Sequence, residues 1–195
     1  MRGMSLVELL LVLFLISLFV VLSTANLAAT QRQLDFDQFA REIAATLETC
    51  RWKALNERCY TGVVAQQQEG IYTLSYFKDG NKNGILKQDI RQGIDVSFHR
   101  ATSIYRASGD MQAAILDQGV PEIPPKKGIL IPGDPVRFGK SDIISFSPDG
   151  DSSSGTLYLA CQSQSRMYAV VLYGPAARIT LWKYSNQQWQ MVGDR

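Results

Sequence analysis

Glu8 is the first residue in the chain that asks for chemistry. It is the only charge between Leu6 and Leu22, in a run that is otherwise leucine, valine, isoleucine and phenylalanine with one serine. A carboxylate in such a run costs ~2.5–3.5 kcal/mol at the middle of a bilayer and less toward its edge, so it needs a partner or a task. A chain cut after Gly3 would supply the partner. The α-amine of Met4, cationic below a pKa of roughly 8, would then lie one helical turn from Glu8. In a low-dielectric setting the two attract strongly, and a neighbouring copy can supply either member. That chemistry is assembly, with subunits finding register through opposite charges.

Other candidate groups are more scattered. Asp79, Asn81 and Asn83 alternate before Gly84, with Asp89 further on. This resembles the start of a calcium loop, whose ligands alternate and whose sixth residue is glycine. The pattern then departs: the ninth position is Lys87 and the twelfth is Ile90, where a bidentate glutamate belongs. The plainer reading is an Asn-Gly turn after a strand. Three cysteines include Cys50 and Cys59, nine apart, without a CxxC or a histidine cluster, which argues against zinc. In an oxidising compartment Cys50 and Cys59 could pair; they could equally stay unpaired. His99 is the only histidine, and neither G-x-S-x-G nor a P-loop is present, so an enzyme is not expected. Arg178 and Lys183, near Trp182, Tyr184 and Trp189, and Lys126, Lys127, Arg137 and Lys140 upstream could hold phosphates and bases of DNA. Alternation of Trp182, Lys183 and Tyr184 is equally that of a half-buried strand. A net charge of +2 does not by itself call for nucleic acid.

The elements that position these residues follow from periodicity. The chain has 195 residues, with no proline before Pro121 and no glycine between Gly3 and Gly62. The apolar run, counted through the small residues to Ala29, has about the roughly 20 residues that a bilayer core requires. Beyond it, Phe36, Phe39 or Ala40, Ile43, Leu47, Cys50 and Ala54 recur every three or four residues and mark one face of a helix. One helix from about Ser5 to Leu55 is expected, roughly 75 Å long. From Thr61 the texture is that of strands: Gly62–Gln67, Ile71–Phe77, Ile94–Arg100, Ser103–Arg106, Asp142–Ser147, Gly155–Cys161, Tyr168–Tyr173 and Arg178–Tyr184. The proline-rich stretch Ala107–Lys140 reads as a long loop with a turn of helix at Met111–Leu116. The expected fold class is α+β: a long N-terminal membrane-anchor helix whose C-terminal half packs on an antiparallel β-sheet. Residues 4–29 form the transmembrane or assembly segment and residues 30–195 the globular domain.

The segment Gly3-Met4-Ser5-Leu6-Val7-Glu8-Leu9 resembles the class III signal of type IV pilins and type II secretion pseudopilins. Met4 stands where that family usually has an aromatic residue, and the leader would be the short Met1-Arg2-Gly3. The stretch Phe146-Ser147-Pro148-Asp149-Gly150, then Gly155-Thr156 and later Gly174 and Arg178, is similar to the GspH/FimT-type pseudopilins, as are Cys50–Asn56 and the Asp79–Gly84 turn. The spacing from Gly174 to Arg178 departs from the family's adjacent pair. The resemblance implies a pilin-like fold and a minor pseudopilin or minor pilin. It implies a cut by prepilin peptidase after Gly3, N-methylation of Met4 and an assembly role for Glu8. The implied partners are other pilin or pseudopilin subunits, and the implied location is the bacterial inner membrane with a periplasmic domain. A DNA-binding minor pilin of a competence pilus is the alternative within the family. Outside it, an ordinary secretory signal would need an A-x-A-like site, of which Ser23-Thr24-Ala25 is a poor version.

Overall fold

The computed structural model describes residues 5–107, 110–161 and 165–194, with all their side chains except those of 21–29 and 194. Helix α1 runs from Leu6 to Glu57, 52 residues, or about 78 Å at 1.5 Å per residue. Ser5 caps its start, its hydroxyl accepting the N–H of Glu8 at 3.3 Å. The helix stops because Arg58 turns into the left-handed region at φ 50°, its N–H donating to the Ala54 carbonyl. Glu57 sits unfavourably at the negative end of the helix dipole. Lys53 and Lys78 both bind its carboxylate and offset that charge.

The second half of α1 buries one stripe. Phe36, Phe39, Ala40, Ile43, Ala44, Leu47, Cys50 and Ala54 are all buried. This covers every position of the expected stripe and adds Ala44. Two sheets share it. In the first, the strand order is β3 (Val96–Ser103), β2 (Ile71–Lys78), β1 (Thr61–Gln68), β7 (Ile143–Phe146). In the second it is β11 (Gln188–Asp194), β10 (Arg178–Ser185), β9 (Arg166–Tyr173), β8 (Gly155–Cys161), β5 (Met111–Ala113), β4 (Tyr105–Arg106), with β6 (Val136–Arg137) also on β8. Every pairing is antiparallel. Leu47 and Cys50 share one core with Val63 and Tyr76 of the first sheet and Leu159, Val170 and Leu181 of the second.

The expected fold class is corrected on two counts. The strands form two antiparallel sheets, not one. The split occurs at residues 147–154: β7 pairs back with β1, Thr61 opposite Phe146, while β8, next in the chain, pairs with β9, Gly155 opposite Leu172. Second, among the described residues no helix is long and apolar enough to cross a membrane. The apolar stretch whose side chains are described, Leu6–Val20, is fifteen residues, about 22 Å of helix against a hydrocarbon core of about 30 Å. The expected anchor segment 4–29 is therefore not seen as a membrane span, and its residues 21–29 have side chains outside the description.

Two smaller expectations also change, and one element is added. Met111–Leu116 begins with strand β5 on β8 instead of a helical turn. A short helix α2, Lys87–Gln92, follows the Asp79–Gly84 turn. The stretch read as an irregular loop is a lid over the outer face of the second sheet. Ile115, Leu116, Val120, Ile123 and Leu130 form a second cluster with Tyr158, Met167, Tyr184 and Trp189. Trp189 locks it, its indole N–H donating to the Pro121 carbonyl at 2.7 Å.

Leu47 is fully buried and Trp52, five residues on, is 57 % exposed. Leu47→Ala should lower unfolding free energy by about 2–5 kcal/mol in urea titration, and Trp52→Ala should change it by less than about 0.5 kcal/mol.

Candidate functional site

The N-terminal half of α1 is the largest feature that the fold does not consume. From Leu6 to Val20 every residue is exposed, Leu6 at 74 % and Phe14 at 66 %. Monomeric soluble domains rarely leave so much contiguous apolar surface uncovered. The helix continues without a break from this segment into the packed half.

A polar collar stands where the helix enters the domain. Phe36, the first buried residue of the stripe, meets the Tyr168 ring edge-on at 5.0 Å. Asp37 beside it accepts the Tyr168 hydroxyl and the Lys183 ammonium, the latter at 3.2 and 3.3 Å. The Lys183 ammonium also lies 5.5 Å from the Tyr168 ring centroid. Burial, and then the hydrogen bond to Asp37, push the Tyr168 hydroxyl well above its ordinary range. None of the three residues announces this cluster, because 131 positions separate Asp37 from Tyr168 and 146 separate it from Lys183.

At the helix start, Glu8 is exposed, and its backbone N–H is the one that Ser5 caps. Ser5-Leu6-Val7-Glu8 has the S-x-x-E spacing of a capping box, a signal available in the sequence. A carboxylate in the first turn is favoured by the helix dipole, by about 0.3–1 kcal/mol. Glu8 thus has a local use even before any partner arrives. Gly3 and Met4, the expected cleavage and methylation residues, lie outside the described residues.

The calcium candidates Asp79, Asn81, Asn83 and Asp89 do come together, but as donors around acceptors. Asp79 is buried and accepts the backbone N–H groups of Asn81 at 2.9 Å, Lys82 at 2.7 Å and Gly84 at 2.8 Å. The side-chain amides of Asn81 and Asn83 donate to one oxygen of buried Asp89 at 3.0 and 2.8 Å. The carbonyl oxygen of Asn81 accepts the N–H of Asn83 at 3.2 Å. Asp95, which the reading of the sequence missed, is a third buried carboxylate and accepts the N–H groups of Gly80 and Leu86. Gly80 is required here, since a Cβ would stand 2.1 Å from the Ile94 carbonyl oxygen. A calcium ion takes six to eight oxygens at about 2.3–2.6 Å. Here the oxygens face N–H groups, and among the described residues no three His, Cys, Asp or Glu side chains are placed to hold a metal. The residues do not fit calcium; they fit a self-capped turn that carries α2.

The DNA candidates are dispersed. Lys183 is turned inward onto Asp37. Arg178 is exposed at the start of β10. Tyr184 and Trp189 are buried under the lid, and the Trp182 indole donates to Thr180 at 3.2 Å, so their faces are not an open stacking platform. Arg137 is drawn to Glu122 at 3.4 Å. Cys50 and Cys59 are separate buried thiols and do not pair. Burial pushes the Cys50 thiol up to about 12, far from nucleophilic use. His99 stands edge-on to Tyr76 at 5.1 Å on strand β3.

Comparison with protein-family models, with curated proteins and with solved structures finds no match.

Two measurements probe these clusters. Asp79→Ala should strand three backbone donors and lower unfolding free energy by about 2–3 kcal/mol, while millimolar calcium should leave the Tm of the unsubstituted chain unchanged. For Tyr168 the sign follows from its raised value in the fold. Its contribution is full below the unfolded pKa of about 10 and is lost as pH rises above that toward the folded value. Tyr168→Phe should flatten the alkaline fall in Tm without abolishing it, because burial also raises Tyr158 to about 12.

Proposed function

We propose that this chain is a structural subunit of a filament of the type II secretion pseudopilus or type IV pilus kind, a minor pseudopilin or minor pilin processed by prepilin peptidase. The observation that carries the reading is the exposed apolar helix from Leu6 to Val20, continuous with a half that is locked into a two-sheet domain. Such a segment has a purpose in a helical bundle made of other copies, where van der Waals packing of leucine, valine and phenylalanine replaces water. The signal-like residues Gly3 to Leu9 at its start support the same reading. Staggered copies would join by heterologous contacts that do not close into a ring. The partners are other pilin or pseudopilin subunits. The location that goes with this is the bacterial inner membrane before assembly, with residues 30–195 in the periplasm.

Glu8 then has two uses, placing a negative charge in the first turn that Ser5 caps and meeting the Met4 amine of a neighbour. A capping box accepts Gln at the position of Glu. Glu8→Gln therefore keeps the cap and removes the charge.

Intact mass and N-terminal sequencing of the chain from its host membranes should give a start at N-methylated Met4. An intact Met1, or a cut near Ala25, would overturn the reading. In a processed chain, Glu8→Gln should leave Tm unchanged and abolish incorporation into filaments, read by shearing and immunoblotting.

A further inference from the structure

We propose that the tip of the lid, residues 123–131, is a docking surface for an anionic lipid bilayer, separate from the helix that assembles the filament. The sequence there is Ile-Pro-Pro-Lys-Lys-Gly-Ile-Leu-Ile. Residues 124–129 are all exposed, six in succession, so the tip stands clear of the domain. Its base is held. Pro121 bridges to Ile129, the Glu122 N–H donates to the Gly128 carbonyl at 3.0 Å and the Leu130 N–H to the Val120 carbonyl at 2.8 Å. The Trp189 indole holds the Pro121 carbonyl.

The side chains on this held ribbon alternate. Leu130 points into the lid cluster and is 2 % exposed, while Ile129 and Ile131 on either side are 66 % and 74 % exposed. A ribbon with one solvated face would carry polar residues at those two positions. The fold uses the backbone of both isoleucines, Ile129 bridging to Pro121 and the Ile131 carbonyl accepting from Arg137 at 3.0 Å, but buries neither side chain. Beside them, Lys126 and Lys127 make no ion pair among the described residues. Two acids near them in the sequence, Glu122 and Asp134, lie 3.4 and 4.0 Å from the single guanidinium of Arg137. The tip therefore presents a small apolar wedge beside two lysines that have no ion-pair partner among the described residues.

That composition selects the partner. Protein interfaces are depleted in lysine, and their energetic centres are tryptophan, tyrosine and arginine. Branched aliphatic residues next to lysines suit the boundary between acyl chains and phosphate headgroups. The aliphatic groups enter the acyl region there, and the lysine stems lie along it with their ammonium groups among the phosphates. The attraction of lysines to an anionic leaflet falls off within a Debye length, so binding should weaken with salt. A preheld tip loses little freedom on docking.

The apolar helix will itself seek lipid, so the test must report locally. In the full chain, Pro132→Cys is labelled with an environment-sensitive fluorophore; the native cysteines are buried. The same label at Glu69→Cys, on the exposed turn between β1 and β2, is the control. With vesicles of phosphatidylcholine containing one-third phosphatidylglycerol, the label at 132 should shift to the blue and the label at 69 should not. Ile129→Ser with Ile131→Ser should lose the shift, and Lys126→Gln with Lys127→Gln should lose the difference between these vesicles and pure phosphatidylcholine. No shift at 132, an equal shift at 69, or a shift indifferent to the isoleucines overturns the proposal. So does an isoleucine-dependent self-association in sedimentation, which would give the tip to a second copy.

Discussion

The rest of the structure depends on one stripe of one helix. From Phe36 to Ala54 the buried side chains of α1 share one core with residues of both sheets, so the helix joins the two β-layers. Removing a large side chain from this stripe does more than open a local cavity, because the two sheets lose their common wall. The polar collar complements it. Apolar packing is non-directional and would permit the helix to slide or roll. Asp37, held by Tyr168 and Lys183 from the adjacent strands β9 and β10, is directional and marks the level at which the helix leaves the domain. Stripe and collar together fix the C-terminal half of the long helix on the domain.

The edges of the sheets are poorly suited to pair with other chains. The first sheet ends on β3, whose pairing with β2 is broken by two register shifts, near Leu74, Tyr76 and Phe77. The second ends on β11, with a shift at Leu181 and Trp182. Their opposite edges are β7 with four residues and β4 with two. Short and bulged edges are how sheets avoid pairing with other chains. Cohesion within the domain is thus assigned to the strands, while the N-terminal half of the helix stays uncovered.

Much of this was legible. The stripe at Phe36, Ile43, Leu47, Cys50 and Ala54 could be read because a helix repeats every 3.6 residues and needs no partner to be recognised. The strands around Val63, Leu74, Leu159, Val170 and Leu181 announced themselves by composition. What could not be read was which strands share a sheet. β7 and β8 adjoin in sequence and part in space, and that choice is made by long-range packing that no local pattern encodes. The lid was missed for a related reason. Its prolines signal irregular backbone correctly, but Val120, Ile123 and Leu130 are too widely spaced to declare a common face until Trp189 is beneath them. At the Asp79 turn the residue types were right for calcium and the orientations were not. Alternating oxygens can face an ion or face backbone donors, and Gly80, Gly84 and the missed Asp95 decide for the donors.

Glu8 shows how a rule can be sound and its inference incomplete. The solvation cost of a carboxylate among leucines is real, yet it presumes that the carboxylate is solitary. Ser5 three residues earlier makes it part of a helix start, where four backbone N–H groups lack intrahelical acceptors and negative charge is welcome. The two uses are not rivals. A cap fixes the backbone of the first turn and so fixes where the carboxylate stands relative to the exposed apolar rod. A charge that must meet another chain's amine benefits from being held in place before the encounter, since ordering it then would subtract from the attraction. In the proposed filament the local cap would thus prepare the long-range contact, and the same residue would belong to the fold of one copy and to the register between two.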